Sequence, residues 1–243
     1  MELAVLTDII KETKSNWRFI FESPLYDEIK FTPGQLVQLT AKPYGPADGV
    51  DVIQRNYSVA SWPDGTNKFE LIITYLKGGK MSQYLFNEAK IGDEFAYNGP
   101  MGIFTLPEKL TDRDIFFVAT GSGISPFRSM LGYIAEHNIP TKRLKLFFGT
   151  RTKEDIPYYE EMKKYEEIIP NFEFVPCLSQ ESDLYWDGHN GYVHSAYLPE
   201  INNMNEKPLV YFCGWDKMIN EGRNYLKDLG FQMMDDIRVE IFG

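Results

Sequence analysis

Ile115-Phe116-Phe117-Val118-Ala119-Thr120-Gly121-Ser122-Gly123-Ile124-Ser125-Pro126 is the stretch on which the reading of this chain turns. Its unbroken apolar run reads as a strand buried on both faces, the kind that parallel sheets contain. Two glycines flanking one serine make a tight turn, and Ser125 and Pro126 suit the N-cap and first position of a following helix. Glycines let backbone approach a phosphate, and the free N–H groups of a helix start favour an anion there. The usual G-x-G-x-x-G fingerprint is not met, because Pro126 stands where its third glycine belongs. A plain strand-to-helix turn therefore stays open.

Downstream, the alternation continues. Apolar runs at 144–148, 172–177, 209–213 and 237–241 join the one at 115–119, with helical patterns over 126–136, 154–167 and 217–229. Buried strands alternating with helices imply a five-stranded parallel α/β domain. Upstream, short β-rich runs occupy 4–10, 17–22, 36–40, 56–60, 69–75 and 94–97, with one short helix over 81–87. Turn chemistry such as Thr32-Pro33-Gly34, Pro63-Asp64-Gly65 and Ile91-Gly92-Asp93 separates them. That half reads as an antiparallel six-stranded β-barrel. A polar, proline-bearing joint at 107–113 divides the chain into domains 1–108 and 109–243.

Composition narrows the function. With 243 residues, 43% of them apolar, the chain builds ample cores without staples. A net charge of −10 argues against nucleic acid, which wants basic patches. Two cysteines, Cys177 and Cys213, exclude a disulfide framework and a four-thiolate iron–sulfur cluster, and three histidines show no metal-ligand spacing. No metal is expected. No apolar run approaches the roughly 18 residues of a membrane span, and no signal segment is visible, so a reducing cytoplasm is the expected compartment.

The barrel half carries Arg55-Asn56-Tyr57-Ser58 on one strand. An arginine can fork onto a pyrophosphate and a tyrosine ring can stack on a flat heterocycle. In a regular strand Arg55 and Tyr57 point one way, Asn56 and Ser58 the other. Alone, such a strand more commonly offers a surface arginine and a half-buried tyrosine. Gly78-Gly79-Lys80-Met81-Ser82 opens the short helix and is a second anion candidate, though not a Walker loop, because Thr74 and Met81 break that pattern. Asn98-Gly99-Pro100-Met101-Gly102 is a compact turn.

In this order, Arg55–Ser58, Gly79–Ser82, Gly99–Gly102, Thr120–Pro126 and Cys213-Gly214 resemble the ferredoxin–NADP⁺ reductase superfamily, over nearly the whole chain. The resemblance implies an FAD barrel followed by a pyridine-nucleotide domain. Arg55 would bind the FAD pyrophosphate, with Asn56 beside it, Tyr57 would stack on the flavin, and Ser58 would sit by the nitrogen that accepts hydride. Gly79, Lys80, Met81 and Ser82 would close over the pyrophosphate through backbone amides and the Ser82 hydroxyl. Thr120, Gly121, Ser122, Gly123 and Pro126 would receive the nicotinamide nucleotide, with Arg151 near its ribose. Cys213 would lie near the reactive nicotinamide carbon, with Gly214 leaving room. Phe242 would cover the flavin face and Glu240 would help position the reacting ring. This chain adds Gly243 beyond the aromatic, unlike plant-type members. Cys213 as a buried strand residue, and Phe242 as part of a plain edge strand, stay open.

The resemblance further implies an FAD-dependent NAD(P)H reductase passing electrons to a separate acceptor, such as a ferredoxin, flavodoxin or oxygenase component. Ser58, Cys213 and Glu240 form its expected catalytic set. Ser179-Gln180 replaces the Ser-Arg pair that grips a 2′-phosphate in NADP-selective relatives, and Glu154 and Asp155 lie nearby, which favours NADH. Lys142, Arg143, Lys145, Arg151, Lys153, Lys163 and Lys164 offer either a docking patch or ordinary solvated surface. A flavin reductase acting on diffusible flavin and a non-catalytic nucleotide-binding module are the rival readings. Acceptor, direction of flux and oligomeric state are not legible.

Overall fold

The computed structural model describes residues 1–41, 52–181, 186 and 188–242, with the side chain of Phe242 excepted. Strands β1 (Glu2–Lys11), β2 (Asn16–Glu22), β3 (Leu36–Ala41), β4 (Ile53–Ser58), β5 (Lys68–Thr74) and β6 (Glu94–Met101) make up the first half, with α1 (Lys80–Asn87) before β6. They pair antiparallel in the order β4-β3-β6-β1-β2-β5. Alternating side chains such as Phe19, Phe21, Leu39, Leu71 and Phe95 fill the interior. The edge strands β4 and β5 come into contact without pairing, which leaves an opening along β4.

The second half contains β7 (Ile115–Thr120), α2 (Ser125–His137), β8 (Leu144–Thr150), α3 (Tyr159–Ile168), β9 (Phe172–Leu178), β10 (His189–Asn190), α4 (His194–Asn202), β11 (Leu209–Trp215), α5 (Asp216–Asp228) and β12 (Ile237–Phe242). All six strands run parallel, in the order β10-β9-β8-β7-β11-β12. Phe117 and Ala119 face α2 and α3, whereas Phe116 and Val118 face α4 and α5, so both sheet faces are covered. The order reverses between β7 and β11. Ligands in such sheets bind in the crevice at the carboxyl ends of the strands at this switch point.

Three local expectations change. The sheet has a sixth strand, the two-residue β10, and α4 lies behind it; Pro199 inside α4 masked the helical pattern. The helix expected over 154–167 begins only at Tyr159, after a short 3₁₀ turn at Lys153–Asp155. Pro157 pushes Ile156 into extended backbone and so separates the two. Ser125 is not an N-cap: Gly121–Ile124 forms a 3₁₀ turn running straight into α2, and the Ser125 hydroxyl donates to the Ser122 carbonyl at 2.6 Å.

The two halves share a core. Ala60 and Ile72 from the barrel half pack in one hydrophobic cluster with Phe104, Phe117, Phe127 and Met130. Helix α2 is the contact. A Cβ on Gly132 would lie 2.0 Å from the Trp62 ring, so the indole rests directly on the helix backbone. The Trp62 indole N–H also donates to Glu136 on the same helix.

Gly132→Ala tests this seat. Alanine in a helix interior ordinarily stabilises by about 0.5–1 kcal/mol over glycine. Here the added methyl displaces Trp62, and overpacking of that kind costs about 1–3 kcal/mol. The urea midpoint should fall at unchanged m-value; a midpoint equal to or above wild type would contradict the seat.

Candidate active site

A cleft of about 570 Å³ opens where the barrel gap meets the switch point. From the barrel half, Arg55, Asn56, Tyr57, Ser58, Ile73, Thr74, Gly79, Met81 and Ser82 line it. From the sheet half come Thr120, Ser122, Ser125, Gly214, Trp215, Asp216 and Glu240. The four residues 55–58 all border the cleft, although strict alternation would turn two of them away. Strand β4 is an edge strand, and the cleft follows its unpaired side.

Arg55 is exposed and gives one N–H to the Gln54 carbonyl at 2.7 Å. Asn56 accepts from Gln38 at 3.3 Å. The Tyr57 ring packs on the barrel core, and burial lifts its phenol, with Arg55 opposing weakly, so the hydroxyl stays neutral. Among the described residues no side chain caps the start of α1, where a helix leaves its first N–H groups without intrahelical partners. The Ser82 hydroxyl is already engaged: it accepts from Leu76 N–H at 3.1 Å and donates towards the Gly79 and Leu76 carbonyls. It shapes the 76–79 turn where that turn borders the cleft. A Cβ on Gly79 would come within 2.9 Å of that hydroxyl, so the turn admits only glycine without adjustment. A guanidinium, a helix start and a half-buried aromatic ring along one edge fit a dinucleotide with a pyrophosphate and a flat ring.

On the opposite wall, the glycines serve packing as much as access. A Cβ on Gly123 would lie 2.2 Å from the Cys213 carbonyl, and one on Gly214 would lie 2.3 Å from the Thr120 hydroxyl. These two glycines let the ends of β7 and β11 touch. Gly214 at φ +137° and Gly121 at φ +57° also hold backbone that other residues resist. Thr120 Oγ1 accepts from Trp215 N–H at 3.1 Å. Trp215 is 57% exposed at the cleft wall, an aromatic contribution the sequence reading missed although the residue directly follows Cys213-Gly214.

Cys213 is fully buried beneath this wall and does not border the cleft; burial and the adjacent Glu240 push its thiol well above the usual range. Pro126 is buried in the first turn of α2, and Lys80 stands at the start of α1 just outside the lining. Arg151 is exposed on the loop after β8, away from the cleft, where its carbonyl accepts from Gln180 N–H at 2.9 Å. In β12 the register sets Glu240 beside Cys213 and Phe242 beside Trp215. The ring of Phe242, and Gly243, lie outside the described residues.

The contact that closes the site is Ser58 to Glu240. The Ser58 hydroxyl donates to the Glu240 carboxylate across 182 residues of sequence, joining barrel to sheet. Burial raises the Glu240 carboxyl to about 7, and the Ser58 bond only partly offsets it. Four of the seven cations in the basic stretch are engaged in ion pairs. Lys145 is buried and paired with Glu173 and Glu200, Arg143 with Glu200, Lys142 with Asp114 and Glu206, and Lys163 with Glu166.

Residues 3–106 match the oxidoreductase FAD-binding domain family and residues 117–223 the oxidoreductase NAD-binding domain family. Over 196 residues the chain is 34% identical to ferredoxin–NADP reductase B of Sorangium cellulosum, covering 78% of this chain and 76% of that protein. The chain belongs to the ferredoxin–NADP⁺ reductase superfamily. Within that superfamily it is also 32% identical over 203 residues to the anthranilate 1,2-dioxygenase electron transfer component of Acinetobacter baylyi, covering 83% of this chain but only 55% of that protein. A ferredoxin NADP⁺ reductase from Neisseria gonorrhoeae, solved with bound FAD and NADP, shares the fold, with a TM-score of 0.78 and 22% identity over 98% of this chain and 97% of its own. Its two-domain order, barrel then parallel sheet, is the one seen here. Among the described residues no helix is long and apolar enough to cross a membrane.

Glu240 gives this member of the superfamily a pH signature. Its folded pKa of about 7 lies above the ordinary 4.5, so the folded state holds the proton more tightly than the unfolded chain. Stability from this group is full below pH 4.5 and is lost as pH rises through 7. Glu240→Gln should remove that loss, gaining at most about 3 kcal/mol on wild type between the two limits. Chemical denaturation at a series of pH values measures it. A wild-type-minus-variant difference that stayed flat with pH would contradict it.

Proposed function

We propose that the protein is an FAD-dependent NAD(P)H reductase that hands electrons to a separate acceptor. The single observation carrying this reading is the Ser58–Glu240 contact at the back of a cleft lined by both halves of the chain. It puts a hydroxyl and a carboxyl poised near neutrality where an FAD-side wall meets a nucleotide-side wall. The domains divide near residue 108 in this reading.

Arg55, with the backbone of Gly79, Lys80, Met81 and Ser82, would hold the FAD pyrophosphate. Tyr57 would carry the flavin ring, flanked by Asn56 and Ser58. Thr120, Gly121, Ser122, Gly123, Pro126 and Gly214 would shape the nicotinamide seat, with Arg151 further out and Phe242 near the ring. Bound FAD supplies acceptance of hydride from a nicotinamide and one-electron release to a partner. The chain's own work is orientation: Tyr57 stays neutral and flat, and Ser58 Oγ and Glu240 hold one proton between them. Cys213 and Gly123 support the seat from below by backbone contact.

NADH is the favoured donor. Gln180 offers no guanidinium, and the Glu181 carboxylate accepts Lys153 N–H at 2.8 Å, bringing negative charge to the same loop. An acceptor of the oxygenase-component, ferredoxin or flavodoxin kind is in keeping with the names of the relatives. Two buried, unpaired cysteines suit a reducing cytoplasm.

The test is anaerobic stopped-flow of the purified protein with each nucleotide. A yellow protein that retains FAD through gel filtration, and is bleached by NADH at least about tenfold more efficiently than by NADPH, is expected; tenfold corresponds to about 1.4 kcal/mol of discrimination. Bound flavin left coloured by both nucleotides would overturn the reading, and so would a colourless protein that consumes NADH only when flavin is added.

A further inference from the structure

Away from the cleft, the seam between the two halves contains a cluster of charge that its surroundings make unusual. Glu70 on β5 and Arg128 on α2 each keep only 8% of their side chains exposed. The Glu70 carboxylate accepts from Arg18 at 2.7 and 3.0 Å, from Arg128 at 3.2 Å and from the Tyr158 hydroxyl at 2.6 Å. Arg128 also reaches the Ala60 carbonyl at 2.9 Å and the Glu161 carboxylate at 3.0 Å. Tyr158 lies between the two guanidiniums, 4.4 Å from Arg128 and 5.2 Å from Arg18 measured to its ring centre. Its own N–H donates to Glu12 at 2.8 Å.

Tyr158 carries a cost to sit there. Its φ of +56° is left-handed backbone, which a bulky residue adopts only when its surroundings impose it. The imposing contacts are Glu12 and Glu70, both from the barrel half, while Tyr158 itself belongs to the sheet half. Burial alone would raise the Glu70 carboxyl, but Arg128 and then Arg18 outweigh it and hold it below the usual carboxylate range. The carboxylate therefore stays charged, and the cluster is a fully bonded ionic joint between domains.

Its position along the chain gives it a use. Ala60 lies two residues after Ser58, and Ala60 N–H is bonded to the Glu70 carbonyl at 2.8 Å. Arg128 lies three residues after Ser125, where the 121–124 turn enters α2. The Arg128–Ala60 bond thus ties the end of β4 to the start of α2, and these two carry the opposing walls of the cleft. Buried ionic clusters seldom add net stability, and in some proteins they instead select one geometry among several apolar alternatives.

We propose that Arg128, Glu70 and Tyr158 are positioning residues that set the distance and angle between the Ser58 wall and the Thr120–Ser125 wall. The proposal rests on the reductase reading for its catalytic consequence, and on the seam geometry alone for its mechanical one. A misplacement near 1 Å can slow a transfer about a hundredfold.

The experiment compares wild type, Arg128→Met, Arg128→Lys and Tyr158→Phe, each full-length and prepared both with and without flavin. Tyr158→Phe deletes one hydroxyl and guards against a charge variant that fails to fold. Two readouts are taken: the limiting rate of flavin bleaching at saturating NADH, and amide hydrogen exchange over residues 58–74 and 121–137 in protein without flavin. Arg128→Met and Tyr158→Phe should slow the limiting rate by about tenfold to a hundredfold. FAD content and half-saturating NADH should stay within about threefold, a split in rate against affinity that simple destabilisation does not produce. Exchange should quicken at both segments, and Arg128→Lys should recover part of both effects. Variants that bleach at the wild-type rate would overturn the positioning role, as would unchanged exchange at the seam. A wild-type protein that fails to bleach would instead overturn the reductase reading, a different and separable result.

Discussion

Helix α2 lying against the barrel is the constraint on which the rest of the molecule depends. The contact combines an apolar core continuous across the seam, an indole set directly on the Gly132 backbone, and the Glu70–Arg128 ion pair at 3.2 Å. The apolar part supplies the driving force, since burial is worth roughly 25 cal/mol per Å² and has no preferred direction. Direction comes from the polar part. A hydrocarbon seam tolerates sliding, whereas a carboxylate that needs two guanidiniums and a phenol at bonding distance does not.

Once α2 is fixed, the site follows from chain connectivity. The turn after β7 can lie only at the switch point of the parallel sheet, and it enters α2 through a continuous 3₁₀ turn. The barrel is open beside β4, and the seam aligns this gap with the switch point. Strand β12 then completes the enclosure, because its register with β11 brings Glu240 to the end of β4, where it meets Ser58. Neither half forms the cleft alone. Burying a carboxyl there disfavours its charged form and raises it to about 7.

Legibility in the sequence followed how local the determinants are. Strands such as β7 and β11 announced themselves as unbroken apolar runs, and the Arg55–Ser58 and Thr120–Pro126 segments carried chemistry within a few neighbouring residues. Most of these segments do border one cleft. The 3₁₀ turn, by contrast, comes with a Ser125–Ser122 hydrogen bond that residue types alone do not announce. Ser82 and Gly123 also have structural contacts, with the 76–79 turn and with the Cys213 backbone, that only the folded chain reveals. The late start of α3 was within reach, since Pro157 forbids the preceding turn. Glu70 and Arg128 were not: they are 58 residues apart and of types that usually face water.

A crystal structure of the protein with FAD and NAD⁺ tests the central claim most directly. The account predicts the flavin ring against Tyr57, with Ser58 and Glu240 at its edge and the nicotinamide reaching it from the Thr120–Ser125 wall. Flavin bound elsewhere, or the two walls separated so that no nicotinamide can span them, would contradict it.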